Sequence, residues 1–98
     1  MEKQYFIYIL TNNPGGTLYI GITNNLSRRI QEHCTGTFDG FTKKHQLRRL
    51  VYYESYSTLI EAIQREKQLK HYNRSWKLRL IKTMNPEWKD LAKNDEGA

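Results

Sequence analysis

The residue of this sequence with the strongest chemical signal is Glu66, which interrupts an otherwise apolar helix face. Stepping about 100° per residue along the predicted helix places five residues within about 60° of Glu66. They are Leu59, Ala62, Ile63, Leu69 and Asn73. This is the arc that a surface helix turns toward its core. Because burying an unpaired carboxylate is costly, we expect a cation, a metal or a set of hydrogen-bond donors to face Glu66.

Four residues upstream meet this expectation: Tyr8, Tyr19, Arg29 and His33. Phosphodiester hydrolysis needs a base for the attacking water, positive charge on the phosphate oxygens and a metal or acid beside the leaving oxygen. Glu66 is suited to a hard cation that keeps water and phosphate as its other ligands, and Arg29 offers a planar donor fork for phosphate. The base is one of Tyr8, Tyr19 and His33, among which the sequence does not choose. The set indicates phosphodiester chemistry on nucleic acid.

Each of these residues also has a purely structural interpretation. Tyr8 and Tyr19 fit ordinary strand packing, because aromatic side chains fill sheets. Arg29 fits a surface position, and His33 fits a structural or exposed one. Glu66 also fits a core ion pair with Arg29 that needs no metal.

The charge of the chain predicts a polyanionic partner. Its 98 residues hold 16 Lys and Arg against 10 Asp and Glu, a net charge of +6. Neutralising phosphates releases counterions and so favours association, although a solvated basic surface is the alternative interpretation. The residues predicted to contact phosphates are Lys43, Lys44, Arg48, Lys67, Lys70, Arg74 and Lys77.

The cysteine count and the first residues bear on location. Cys34 is the single cysteine, so an internal disulfide is excluded, which fits a reducing cytosol. Residues 1–4 lead directly into a strand-like segment and are too short for a signal sequence or a membrane span. We expect a cytoplasmic protein with no membrane association; a monomer is compatible with the sequence, which leaves the oligomeric state open.

Hydrophobic periodicity and turn residues predict one domain over residues 1–92 with a polar tail over 93–98. Strands are predicted at 5–10, 17–23 and 50–56, and helices at 26–34, 58–72 and 75–83. Asn24 and Asn25 are predicted to cap the first helix and Ser75 the third, in which Trp76, Leu80, Ile81 and Met84 have core-like spacing. Asn85 and Pro86 are predicted to start a last short helix, anchored by Trp88 and Leu91, and a T-x-x-E capping box opens the helix that carries Glu66.

The short loop between the first two strands predicts an antiparallel hairpin. If residue i pairs with j such that i + j is odd, Tyr8, Tyr19 and Gly21 share one sheet face, whereas an even register separates the two tyrosines. The space above Gly21 would then either admit a phosphate or be a close-packing site for a helix.

Two tripeptides, Phe6-Ile7-Tyr8 and Tyr19-Ile20-Gly21, are followed in order by Arg29, His33 and Glu66. This ordered set resembles the GIY-YIG nucleases, whose name-giving tripeptides correspond to these two, and in particular the compact stand-alone bacterial members of that family. Residues 50–54, 61–67 and 85–88 also match this subgroup, so the resemblance covers nearly the whole chain. In this chain Phe6 replaces the first Gly of the family name, and Ile22 or Thr23 stands where DNA-repair members have a lysine.

The resemblance implies an α/β (α+β) fold: a small three-stranded antiparallel sheet flanked by helices, with the site on one sheet face. It implies phosphodiester hydrolysis with a single divalent metal, Mg²⁺ or Mn²⁺. By position, Glu66 matches the metal carboxylate, Arg29 the phosphate-stabilising arginine, and Tyr8 and Tyr19 the paired tyrosines. His33 falls where the family often has Tyr or His.

Two functions are therefore predicted. The first is a metal-dependent endonuclease acting on DNA, on branched or damaged structures. The alternative is a non-catalytic basic module that binds DNA or RNA and retains the nuclease fold.

Overall fold

A computed structural model describes residues 4–35 and 47–94 of the chain. These ranges form three strands and four helices, which confirms the predicted fold class of a three-stranded antiparallel sheet flanked by helices. In chain order the elements are β1 (Tyr5–Thr11), β2 (Leu18–Thr23), α1 (Leu26–Thr35), β3 (Arg49–Tyr56), α2 (Leu59–His71), α3 (Arg74–Met84) and α4 (Leu91–Asn94). The predicted phosphate contacts of Lys43 and Lys44 lie outside the described residues, as do residues 95–98 of the predicted tail.

The sheet has the order β2-β1-β3, and both pairings are antiparallel. Tyr8 pairs with Gly21, so the register sum is odd, and of the two registers that the sequence left open the structure has the one that puts Tyr8, Tyr19 and Gly21 on one face. On its other side Tyr8 pairs with Tyr53, and an irregularity between Ile9 and Leu10 shifts the register of β1 against β3.

The central strand β1 is apolar on both faces because each face carries its own core. Ile7 and Ile9 point toward α2 and α3, whereas Tyr8 and Leu10 point toward α1. The first core also contains Ile20, Val51, Tyr52, Leu69 and Ile81. The second also contains Ile30, Leu47 and Leu50.

A half-buried carboxylate, Glu54, joins β3 to α2. Arg65 donates from Nε to Glu54 Oε1 at 2.9 Å and from one terminal nitrogen to Oε2 at 3.0 Å. The hydroxyl of Tyr56 donates to Oε1 at 2.6 Å, and that of Tyr52 donates to Oε2. Burial alone would raise the pKa of Glu54, but the hydrogen bonds from Arg65 and the two tyrosines lower it below the usual value of 4.5. Burial and the carboxylate together raise the pKa of Tyr56 to about 12.

Helix α2 begins as predicted, with Thr58 accepting from the Glu61 amide at 3.3 Å and donating to Glu61 Oε1 at 2.8 Å. The cap of α3 was predicted wrongly: it is Asn73, whose side chain accepts from the Trp76 amide at 2.9 Å, and not Ser75. The core-like role predicted for Trp76 is also wrong. Its side chain is 54% exposed and lies under Arg79, whose Cζ is 5.3 Å from the ring centroid.

The last helix starts later than predicted, at Leu91 instead of Asn85. Asn85 ends α3, since its amide donates to the Ile81 carbonyl at 2.7 Å, and its buried side chain binds the backbone of Lys89. Asp90 caps α4 by accepting from the Ala92 amide at 3.1 Å. Within the described ranges, no helix is both long and apolar enough to cross a membrane.

The Glu54 network predicts an acid-sensitive part of the stability. Glu54→Gln should lower the free energy of unfolding at pH 7 by about 2 kcal/mol, because it leaves the half-buried Arg65 guanidinium without its charge partner. Since the pKa of Glu54 is lowered in the folded state, its contribution is present above pH 4.5 and is lost as the pH falls through the folded pKa. Urea unfolding at pH 7 and pH 3 measures both effects.

Glu87→Gln is the matched control, because the Glu87 side chain is largely exposed and its pair with Lys89 is loose, at 3.6 Å. This variant should unfold like the parent at both pH values. A Glu54→Gln protein with the same pH dependence as the parent would contradict the assignment.

Candidate active site

Three of the predicted residues, Tyr8, Tyr19 and His33, form one aromatic cluster between the sheet and α1. The Tyr8 hydroxyl and His33 Nε2 share a hydrogen bond of 3.1 Å. The Tyr19 ring lies 6.3 Å from that of Tyr8 and 5.5 Å from that of His33, centroid to centroid. Tyr8 and His33 are each only 1% exposed, so a phenol and an imidazole are held together away from bulk water.

The space above Gly21 is filled by the ring of Tyr8. A Cβ atom at Gly21 would lie 2.9 Å from Tyr8 Cε1 and still closer to Cζ and the hydroxyl oxygen. The space is therefore used for close packing and not for a phosphate, but the predicted partner was wrong: it is the cross-strand Tyr8 and not a helix.

Helix α1 supplies Arg29 and His33 one turn apart on the same face. The helix starts where Asn25 Oδ1 accepts from the Arg28 amide at 3.1 Å, which is the predicted asparagine cap. Arg29 forms an ion pair with Glu32 at 3.1 Å, and its side chain is partly buried. The guanidinium therefore lies on the helix face that carries His33.

Glu66 lies at the margin of the buried face of α2 instead of at its centre. The buried residues of this helix are Ala62 and Leu69, whereas Leu59 and Ile63 are 46% and 37% exposed. The apolar arc predicted from the sequence is thus rotated, because α2 packs through Ala62 and Leu69. The Glu66 side chain is nevertheless only 18% exposed.

The counter-ion of Glu66 is Lys70, one turn later on α2, with Nζ 3.7 Å from Oε2. Arg29 pairs with Glu32, so the alternative of an Arg29–Glu66 core ion pair is wrong for the described residues. The described contacts bring Tyr8, Tyr19 and His33 together, put Arg29 on the same helix as His33, and leave Glu66 on α2 beside Lys70.

A groove lies along the edge strand β2, between α2, which carries Glu66, and the aromatic cluster of Tyr8, Tyr19 and His33. It has a volume of about 360 Å³ and is lined by Leu18, Tyr19, Ile20, Lys70 and Lys77. Tyr19 thus contacts the buried cluster on one side and the groove on the other. The sequence assigned Lys70 only to the general basic surface, although its i, i+4 spacing from Glu66 was the signal that could have singled it out.

The donor set at Glu66 fits a divalent cation that is bound mainly by water and phosphate. Among residues 4–35 and 47–94 there is no group of three or more His, Cys, Asp or Glu side chains arranged to hold a metal. A single carboxylate with solvent and substrate phosphate is a common arrangement for Mg²⁺. Glu66, partly buried and paired with the groove-lining Lys70, meets that description.

The described residues of the predicted basic set differ in what they contact. Arg74 donates to the carbonyls of Gly15 and Gly16 at 2.5 and 2.7 Å, so it ties α3 to the loop between β1 and β2. Arg48 and Lys67 are exposed. Only Lys70 and Lys77 of this set line the groove.

Comparison with known proteins identifies the class of protein that this sheet and its paired tyrosines define. The family model of the GIY-YIG catalytic domain matches residues 4–79. The chain belongs to the GIY-YIG family of nucleases.

Its relatives are compact proteins of similar length. UPF0213 proteins from two Staphylococcus aureus strains, Mu3 and N315, are each 40% identical over 79 residues, which cover 81% of this chain and 95% of theirs. The solution NMR structure of a UPF0213 protein from Bacillus halodurans matches with a TM-score of 0.57 and 28% identity. That match covers 92% of this chain and 95% of the other.

The contact between Tyr8 and Gly21 can be tested by Gly21→Ala. The added methyl group must displace the Tyr8 ring, so we expect a loss of about 1–3 kcal/mol in unfolding free energy, the usual cost of overpacking. In a Tyr8→Leu background the same change should cost much less, because the clashing ring atoms are gone. Urea unfolding of the four proteins measures the coupling, and an equal cost in both backgrounds would disprove the contact.

Proposed function

We propose that this chain is a divalent-metal-dependent endonuclease that hydrolyses DNA phosphodiester bonds. The observation that carries the proposal is the buried hydrogen bond between Tyr8 and His33, with Tyr19 packed against both rings. An imidazole held against two phenols supplies groups that can accept a proton, and hydrolysis needs such a group because a water must lose a proton at the moment of attack.

Tyr19 is the residue that we assign to the attacking water. It is the member of the cluster that lines the groove, whereas Tyr8 and His33 are almost fully buried. A phenol acts as a base near neutral pH only where its surroundings favour the phenolate. Tyr8 and His33 orient the Tyr19 ring and provide a path of polar groups behind it.

Glu66 and Arg29 are the residues that we assign to the phosphate. Glu66 would hold Mg²⁺ or Mn²⁺, and the cation would supply positive charge at the reacting phosphate. Arg29 adds a fixed, planar cation on the α1 side. Its pair with Glu32 limits its rotamers, which favours a single orientation toward the substrate.

DNA with unpaired or interrupted strands is the substrate that we favour. The net charge of +6 supports a polyanionic partner. The groove, at about 360 Å³, has the size of a small-molecule pocket, which suits one extended strand better than a duplex. Its lysines would contact phosphates, and such contacts position a protein without reading base sequence.

Glu66→Gln tests the metal assignment. The amide keeps the shape but loses the charge that holds a cation, so Mn²⁺-dependent cleavage should fall below detection while the melting temperature changes little. The assay uses nicked, branched, single-stranded and duplex DNA, each with Mn²⁺ and with EDTA. Glu87→Gln removes an equal charge from an exposed site and should cleave like the parent.

Each other outcome has a defined meaning. Undiminished cleavage by Glu66→Gln would refute the role of this carboxylate, and unfolding would make Glu66 a structural residue. A parent protein that binds DNA but cleaves none of the four substrates would favour the non-catalytic binding module.

The tyrosines can be tested as a unit. Tyr8→Phe and Tyr19→Phe should each lower the cleavage rate by at least about 10²-fold, and the double variant should lose much less than the product, because groups that act together are non-additive. DNA affinity and folding should survive, since the rings remain. Tyr5→Phe, on the same strand as Tyr8 but outside the cluster, serves as the control. Full activity in both single variants would assign the pair to packing.

A further inference from the structure

The ion pair between Glu66 and Lys70 places an ammonium group where the proposed metal carboxylate would take its cation. The pair is loose, at 3.7 Å, and its two members differ in freedom. The Glu66 side chain is 18% exposed, whereas that of Lys70 is 54% exposed. A half-buried carboxylate is held in position by its helix, while a long lysine side chain can turn away from it.

The carboxylate has little capacity for two cations at once. An ammonium group and a divalent ion on the same carboxylate would lie within a few ångströms of each other, where like charges repel strongly in a partly buried setting. A divalent ion that binds Glu66 must therefore displace Lys70, which then needs another anion.

The groove supplies that second position. Lys70 lines it together with Lys77 and Tyr19, so its ammonium group is within reach of a strand that lies along β2. A phosphate bound there next to Tyr19 is the nearest anion that substrate would bring.

Other described arginines near the sheet are already committed to protein partners. Arg65 binds Glu54, and Arg74 binds the carbonyls of the loop between β1 and β2. Neither arginine can replace Lys70 as the counter-ion of Glu66 without losing a contact that stabilises the fold.

We infer that Lys70 is the resident counter-ion of Glu66 and moves to a substrate phosphate when this carboxylate binds a divalent cation. The inference rests on the proposed function, because it takes Glu66 as the metal carboxylate. It makes Lys70 a positioning and gating residue. The metal ion frees Lys70 to bind a phosphate, and a phosphate that binds Lys70 frees Glu66 to bind the metal ion. Metal and nucleic acid therefore bind with positive, reciprocal coupling.

The test measures Mn²⁺ affinity of the free protein, from the electron paramagnetic resonance signal of unbound Mn²⁺. Lys70→Gln should raise the affinity by about three- to fivefold, the scale of a lost exposed ion pair. Lys70→Arg keeps a counter-ion and should retain the parent affinity. Lys77→Gln removes the same charge from the same groove, and Lys67→Gln from an exposed position of α2; both should stay close to the parent.

A second measurement addresses the phosphate. In a Tyr19→Phe background that prevents turnover, a short single-stranded oligonucleotide should raise Mn²⁺ affinity more in the protein with Lys70 than in Lys70→Gln. The reason is that the competing ammonium is already absent from the variant. Equal increases would overturn the exchange.

The outcomes separate this inference from the function on which it rests. If the parent binds Mn²⁺, Glu66→Gln abolishes that binding and Lys70→Gln behaves like Lys77→Gln, the counter-ion exchange is wrong and the metal assignment stands. If Glu66→Gln leaves Mn²⁺ binding unchanged, or the parent binds none, both proposals fail.

Discussion

The contact on which the rest of this structure depends is the ring of Tyr8 lying across Gly21 of the neighbouring strand. It requires the register that pairs these two residues, because any other residue opposite Tyr8 would exclude the ring. The same contact points the Tyr8 hydroxyl at His33 and leaves room beside it for Tyr19. Strand register, the docking of α1 and the geometry of the aromatic cluster therefore follow from one missing side chain.

On the opposite face, the Glu54 network sets the rotation of α2. Arg65 is drawn to β3 by the carboxylate and its two tyrosine donors, and Ala62 and Leu69 fill the core. The next residue, Glu66, is then paired with Lys70, which lines the groove. A half-buried ion pair with no part in the chemistry thus positions the carboxylate that the proposed chemistry needs.

The edge strand β2 is where the two faces of the sheet meet. Tyr19 belongs to the α1 side, while Ile20 belongs to the core under α2 and α3, yet both line the same groove. A site that uses residues from both faces of the sheet can form only at an edge strand, because a central strand separates the two faces. An edge strand also leaves backbone donors and acceptors unpaired, which a nucleic acid strand along the groove could use.

The sequence by itself determined the elements with strong local signals: the three strands, the capping box of α2 and the antiparallel hairpin of β1 and β2, whose register it left open. These depend on period, turn residues and pairing, which are encoded within short segments. Local patterns did not determine which arc of α2 is buried, that Asn73 and not Ser75 caps α3, or that Trp76 faces solvent. The i, i+4 spacing of Glu66 and Lys70 signalled their pairing, but it did not exclude Arg29 as the partner. These features depend on how far each helix is rotated against the sheet, which only tertiary packing decides. In α2 the Glu54–Arg65 ion pair and the burial of Ala62 and Leu69 set this rotation, and their effect exceeds that of the apolar periodicity of the helix.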